Sequence, residues 1–366
     1  MKYIYQLADW PKLQWSREAL ADQLASVRHQ QGRLIGHMEA LGFDLRREAV
    51  LNTLTQDVLK SSEIEGEILN SDQVRSSVAR RLGMDIGGLE PADRNVEGIV
   101  EMMLDATQRY DQLLTKDRLF GWHASLFPTG RSGMTRINTG AWRDDRNGPM
   151  RVVSGPVGRA HVHFEAPPAE QLEQEMNEFL KWFNLEVEVD AVVKAALAHL
   201  WFITIHPFED GNGRIARAIA DMMLARSEAS PQRFYSMSGQ IRTERKAYYD
   251  ILEETQHGTL DITPWIAWFL GCLERAIRGA EKTLESVLCK ARFWERLTDA
   301  QINVRQRRVL NRLLDGFDGK LTTTKYAALA KCSQDTAYRD ILELVAAGIL
   351  TKNPEGGRNT SYAPIM

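Results

Sequence analysis

Cysteine is scarce in this chain: 366 residues hold three, Cys272, Cys289 and Cys332, far apart and odd in number. They can build neither a disulfide framework nor a paired-cysteine zinc site, which suits a reducing compartment. Long apolar runs are missing as well. No stretch of about 18 apolar residues occurs, and no basic-then-apolar leader opens the chain, so neither a membrane span nor a secretion signal is expected and a cytoplasmic location is. Charge of one sign is also lacking: 46 basic against 49 acidic residues leave a net charge of −3. That balance excludes a protein that coats nucleic acid through bulk charge. No convincing repeat and no long low-complexity tract is visible. What remains is a chain long enough for two or three domains, each with its own core.

The densest chemistry lies in His206 to Arg217, HPFEDGNGRIAR. The fifteen residues before it, AVVKAALAHLWFITI, are apolar enough for a buried helix, and Pro207 cannot continue that helix because it lacks an N–H. Gly211 and Gly213 free the backbone to turn and to approach a ligand closely. Ile215, Ala218, Ile219, Met222 and Met223 then resume a helical apolar face, which puts Gly213 near a helix N-terminus. Unsatisfied N–H groups and the positive dipole end make such a terminus an anion site. Arg214 and Arg217, three apart, share one face of the first turn. Basic residues there oppose the dipole, which points to a compensating anion. His206 can accept a proton near neutral pH, Asp210 is a hard oxygen ligand suited to Mg²⁺, and Asn212 can donate to a phosphate oxygen. The spacing is not that of a Walker A loop, since no lysine follows the glycines.

This stretch resembles the HPFx(D/E)GNGRxxR signature of the Fic family at every fixed position. The resemblance implies a mainly α protein with a Fic helical core, ATP as substrate and Mg²⁺ as cofactor. It implies His206 as the catalytic base, Asp210 as the metal ligand, Gly211, Asn212, Gly213 and Arg214 around the α- and β-phosphates, and Arg217 at the γ-phosphate. Upstream, Ser61 to Gly66 reads SSEIEG and resembles the (S/T)xxxE(G/N) motif of self-restrained Fic proteins. Ser61 and Glu65 are four apart, so a helix from about Leu45 through Val50, Leu54 and Val58 sets both on one face, with Gly66 closing it. By the same resemblance Glu65 pairs with Arg217 and occupies γ-phosphate space.

Between the two motifs, Gly140-Ala-Trp-Arg143, Met150 to Pro156, Val162-His-Phe and Ala166-Pro-Pro168 read as short strands and turns. They resemble the Fic hairpin flap, which aligns a target segment by strand addition; Val153, Ser154 and Gly155 are assigned to the nucleotide site on this basis. His161 and His163 alternate with hydrophobic residues, a strand pattern rather than a metal box. Tyr248, Tyr249 and Gln256, in YYDILEETQHG, resemble the segment lining the nucleoside end, although tyrosines at helical spacing are usually core.

Three regions are expected: a helical N-terminal domain over 1–85 carrying the inhibitory helix, a Fic core over 92–285, and a module over 300–366. Residues 82–91, rich in glycine, mark the first boundary. The last module, with helix starts at Arg305, Thr322 and Ser333 and strands near Gly348 and Tyr362, resembles a winged helix-turn-helix. Thr336, Tyr338 and Arg339 would then lie near a major groove and Arg358 in the wing. From Gln301 onward ten basic and six acidic residues leave a net of only +4, so DNA and protein contacts are equally open.

The expectation is an AMP transferase acting on a Ser, Thr or Tyr hydroxyl of a protein, autoinhibited by Glu65. Its partners would be ATP, a target docked on the flap, its own chain as a target, and a second copy in a homodimer. Two alternatives stay open: AMP removal with Glu65 activating water, and a DNA-binding regulator whose core senses nucleotide.

Overall fold

In this computed structural model the described residues are 2–365 apart from 41, 85–90, 147, 156–160, 186–187, 298–299, 315–318 and 355–359. They are mainly helical, as the sequence implied. The chain divides into two compact units, Met1–Ala280 and Glu281–Met366.

The first unit opens with α1 (Arg17–Glu39), where Ser16 caps the helix by accepting from the Ala19 N–H at 3.1 Å. Next come α2 (Phe43–Ile64), α3 (Ser71–Arg81), α4 (Arg94–Gln108) and α5 (Lys116–Leu126). Two antiparallel hairpins follow, β1 (Arg131–Ser132) with β2 (Thr135–Arg136), and β3 (Arg151–Ser154) with β4 (His161–Glu165). Then come α6 (Leu172–Asn184), α7 (Ala191–Ile205), α8 (Asn212–Glu228), α9 (Met237–Thr243), α10 (Arg245–Gln256) and α11 (Thr263–Arg296), whose span contains the division at Ala280.

The centre of this unit is the α7–α8 pair. Every residue from Val192 to Ile205 is buried, a pattern that fits a helix surrounded by others rather than one with a wet face. With no solvent side left, α7 packs against α8 and α6, and Trp265 of α11 donates to its Ala196 carbonyl at 2.8 Å. The α4–α5 crossing is close enough that Gly98 touches the Ser125 backbone; a Cβ there would lie 1.7 Å from the Ser125 carbonyl oxygen.

The helix expected to carry the inhibitory motif runs Phe43–Ile64 and stops in a Schellman arrangement. Gly66 takes φ +88°, its N–H donates to the Glu63 carbonyl at 3.1 Å, and the Glu67 N–H donates to the Ser62 carbonyl at 3.0 Å. An ionic cluster holds α2 to the centre. Arg233 and Asp221 pair at 3.0 Å with both side chains buried, and Asp57 on α2 accepts from the Ser236 hydroxyl. Burial, with the charge of Asp221 adding, pushes the Asp57 carboxyl up to about 8. It carries its proton at neutral pH and so does not oppose Asp221.

The N-terminal strip is stitched to the end of the unit: the Gln14 N–H donates to the Leu260 carbonyl and the Ile262 N–H to that of Gln14, both at 2.8 Å. Segments 1–85 and 92–280 therefore share one compact body. Of the boundary loop expected at 82–91, residues 85–90 lie outside the described residues.

The second unit contains α12 (Val304–Leu314), α13 (Thr323–Ala330), α14 (Gln334–Ala346) and the hairpin β5 (Leu350–Lys352) with β6 (Tyr362–Pro364). Val309, Leu310, Tyr326, Ile341, Leu344 and Tyr362 form its core. Buried Asp340 ties α14 to α12 by accepting from Arg305 at 3.1 Å and to α13 by accepting from the Tyr326 hydroxyl at 3.2 Å. Tyr338 and Arg339 are exposed on α14, and Arg358 lies outside the described residues. Among the described residues no helix is long and apolar enough to cross a membrane.

Replacing Gly98 with alanine should overpack the α4–α5 crossing and cost about 1–3 kcal/mol. Gly121→Ala, exposed on α5 with open space around it, should instead be neutral or add about 0.5–1 kcal/mol. Thermal unfolding followed by circular dichroism separates the two; equal midpoints would show that the crossing is not tight.

Candidate active site

The site is built where α7 stops. His206 leaves that helix in the left-handed conformation, φ +51°, which a non-glycine residue holds only with support. Arg143 supplies the support. Its buried guanidinium donates to the His206 carbonyl at 2.8 Å and to the Pro167 carbonyl at 2.5 Å, and pairs with Asp145 at 2.9 Å. Its own N–H reaches the Pro207 carbonyl at 2.9 Å. The Gly140–Arg143 stretch expected to belong to the flap thus staples the histidine loop from below.

Asn212 closes the same loop from above. Its side chain accepts from the Phe208 N–H at 2.9 Å and donates to the Phe208 carbonyl at 2.7 Å. The buried polar groups of Phe208 need partners, and the Asn212 amide supplies them while its second N–H is left over for the phosphate contact that the resemblance implies.

His206 Nδ1 faces the Ile203 carbonyl at 3.2 Å. A carbonyl only accepts, so Nδ1 carries the hydrogen and Nε2 keeps its lone pair. Burial pushes the imidazole down to about 4, helped by the Arg143 charge, while the Ile203 carbonyl, Glu65 and Asp210 pull the other way. The ring is therefore neutral throughout the physiological range, the form a proton acceptor needs.

Gly211, at φ +81°, turns the chain into α8. The first bond inside that helix runs from the Ile215 N–H to the Gly211 carbonyl at 3.0 Å. The N–H groups of Asn212, Gly213 and Arg214 thus lack partners within the helix, at its positive dipole end. Asp210 accepts from the Gly211 N–H at 2.6 Å and meets the Ser132 hydroxyl with its other oxygen. One carboxylate beside an anion-binding turn fits Mg²⁺, which takes one or two carboxylates plus substrate phosphates and waters.

Arg214 and Arg217, near the start of α8, are already met by carboxylates. Arg217, 2% exposed, donates from Nη2 to Glu65 at 2.7 Å and to the Ser61 carbonyl at 2.9 Å, and from Nε to the Ser61 hydroxyl at 3.0 Å. Arg214 donates to Glu67 at 2.9 Å and lies over the Phe127 ring, and its Nε is a buried donor without a partner. The Glu65 carboxylate rests against Gly213, where a Cβ would come within 2.2 Å of Oε1. Glycine at 213 is what lets this carboxylate lie on the first turn of α8.

In front of these groups is a cavity of about 660 Å³. Val153 and Ser154 of β3, Glu65, His206, Gly213, and Tyr248, Tyr249 and Gln256 of α10 are in its walls. Gly155 is not, and Arg217 and Arg214 are screened by Glu65 and Glu67 instead of lining it. Tyr248 is also a core residue, its hydroxyl 2.8 Å from His199 Nε2. Sequence reasoning passed over Glu67 and Ser132, and it read Arg143 as part of the flap. Only Glu67 left a trace, an acid one step past a helix-closing glycine, and that placement follows from the Schellman turn.

Residues 3–84 match the family model described as a domain of unknown function, DUF4172, and residues 113–224 match the Fic/DOC family. Among curated relatives, a protein named Protein adenylyltransferase Fic from Nematostella vectensis is 28% identical over 245 residues, covering 63% of this chain and 49% of that protein. One of the same name from Drosophila yakuba is 25% identical over 285 residues, covering 75% and 48%. The chain thus spans about half the length of the curated relatives it matches. Among solved structures, a Fic family protein from Desulfovibrio desulfuricans G20 aligns over 100% of this chain and 98% of its own, at TM-score 0.53 and 20% identity. A Fic domain containing signaling protein from Bacteroides thetaiotaomicron aligns over 71% and 97%, at TM-score 0.53 and 22% identity. These likenesses concern the fold.

Titrating the His206 ring by NMR should give a midpoint near 4, with the neutral Nδ1–H form dominant at pH 6. A midpoint at or above the ordinary value of about 6.5 would mean that burial does not govern this group.

Proposed function

Because residues 113–224 form a Fic/DOC-family domain, we propose that this protein transfers AMP from ATP to a protein hydroxyl and restrains itself with Glu65. The observation that carries the proposal is the neutral His206, its Nε2 lone pair free, beside the unpaired N–H groups that begin α8. A base and an anion cradle at adjoining positions are what attack of a hydroxyl on a phosphate ester requires.

In the transfer, His206 Nε2 takes the proton of a Ser, Thr or Tyr hydroxyl. That oxygen bonds to the α-phosphorus, and the bond to the β-phosphate bridge breaks, releasing pyrophosphate. The Gly211–Arg214 backbone holds the α- and β-phosphates, and Arg217, once free, holds the γ-phosphate. Tyr248, Tyr249 and Gln256 flank the nucleoside, Val153, Ser154 and Gly155 border the nucleotide, and the hairpin that carries them aligns the target segment by strand addition. Asp210 would hold Mg²⁺, which when bound neutralises phosphate charge.

The restraint follows from the charge of Arg217. Stripping a buried cation of the carboxylate it is paired with costs about 3–5 kcal/mol, so Glu65 leaves only when another anion replaces it. A γ-phosphate is such an anion. Glu67 on Arg214 adds a second, half-exposed and therefore weaker hold. A reverse reaction, AMP removal with Glu65 orienting water, draws support from Glu65 and His206 lining one cavity. Labelled ATP separates the two: label gained by protein favours transfer, label lost from modified protein favours removal.

Glu65→Gly should raise self-modification from α-labelled ATP, up to roughly 100-fold if about 1% of wild-type molecules are competent. Adding Arg217→Ala should cancel the gain. Ser61→Ala, which removes one hydrogen bond worth about 0.5–1.5 kcal/mol, should activate less. An unchanged or lower rate in Glu65→Gly would refute the restraint.

His206→Ala should lower transfer about 10²–10⁴-fold in the Glu65→Gly background while ATP still binds. Near-normal label incorporation by that variant would rule out the histidine as base.

A further inference from the structure

We propose that His161, His163 and Glu253 form a transition-metal site, of the zinc class, that clamps the β3–β4 hairpin to α10. It is separate from Asp210 and stands whether or not the chain transfers AMP. The alternation that marked His161 and His163 as strand residues is the reason they meet. Residues i and i+2 of a strand point to the same face, and the two rings lie 4.6 Å apart, edge to face. Opposite them stands Glu253, from the third turn of α10. Its Oε2 is 2.7 Å from His163 Nδ1 and its Oε1 is 3.7 Å from His161 Nε2.

One ligand atom from each residue falls within 4.8 Å of the others. Ligands at zinc distances of about 2.0–2.2 Å in a tetrahedron sit roughly 3.4 Å apart. An adjustment of up to about 1.4 Å between ligand atoms therefore makes the site, and His161, exposed on its strand, can turn for it. Two imidazoles and one carboxylate suit Zn²⁺ and disfavour Mg²⁺ or Ca²⁺, which prefer all-oxygen sets. A ligating histidine usually has its other nitrogen held by an oxygen. His163 has this arrangement: its Nε2 lies 2.6 Å from the Ser154 hydroxyl, so Nδ1 can face the metal while Nε2–H donates to Ser154.

The consequence is mechanical. His163, Ser154 and Glu253 all border the cavity that holds His206, and α10 also carries Tyr248 and Tyr249. A metal joining β4 to α10 would fix the width of the cavity mouth and the register in which the hairpin presents itself to a target strand. The same groups are joined in the structure by the hydrogen bonds of His163 to Ser154 and Glu253 and by the longer 3.7 Å approach of His161 to Glu253.

The test uses the full chain stripped with chelator and titrated with ZnCl₂ by calorimetry, with MgCl₂ as the contrasting probe. The expectation is one Zn²⁺ per chain at micromolar affinity or tighter, retained in Asp210→Ala and outcompeting Mg²⁺. His161→Ala, at an exposed position, should weaken zinc by at least about 10-fold, as should Glu253→Gln, and Ser154→Ala should cost about 10–100-fold through the orienting bond. Zinc should also slow amide exchange in residues 161–165 of the wild type and not of Glu253→Gln. No zinc binding below millimolar concentration would overturn the proposal. So would zinc binding that survives both His161→Ala and Glu253→Gln in variants whose circular dichroism matches wild type.

Discussion

A buried guanidinium must be met by an anion, and Arg217 is the place where this structure depends on that rule. The residue sits one turn into α8 and 2% exposed, at the helix end where a cation is least welcome. Ser61 satisfies part of its hydrogen-bonding capacity, and Glu65 supplies the charge. Ser61 lies in the last turn of α2 and Glu65 is its C-cap, so the end of that helix is bound to the start of α8. Gly66 ends α2 at the one point that directs Glu65 toward Arg217 and Glu67 toward Arg214. Gly213 leaves the space in which the Glu65 carboxylate lies. The Asp57–Asp221–Arg233 cluster holds the same two helices together farther along. That cluster avoids a second unpaired charge, because Asp57 keeps its proton.

The other face of α8 is organised around His206. A left-handed residue, a buried arginine under its carbonyl and an asparagine spanning Phe208 together fix a loop that neither neighbouring helix could fix alone. Rigidity here matters chemically. A proton acceptor and an anion cradle contribute to rate only when both are held before the substrate arrives.

Much of this was legible in the residues. The helix before His206 is apolar on all sides and ends at a proline, and the structure places α7 at Ala191–Ile205. The spacing of Ser61 and Glu65 put both on one face of a helix, and both reach Arg217. What the sequence hid depends on contacts between distant segments. Arg143 looks like part of a flap until its guanidinium is seen beneath a loop 63 residues away. Asn212 shows in the sequence only its capacity to donate to a phosphate, and its bonds to the backbone of Phe208 appear only in the fold. His161 and His163 look like ordinary strand residues until α10 brings Glu253 to them from 90 residues downstream. Glu67 belongs to no periodic pattern, and only the geometry of the turn after α2 directs it to Arg214.

If Glu65 holds the position of a phosphate on Arg217, its charge should penalise triphosphate binding and nothing else. The direct measurement is calorimetric affinity of ATP and of adenosine for wild type and Glu65→Gln. ATP should bind the variant at least about 10-fold more tightly, equivalent to 1.4 kcal/mol, with adenosine unchanged. Equal gains for both ligands, or no gain for ATP, would contradict the pairing of Glu65 with Arg217 as the restraint.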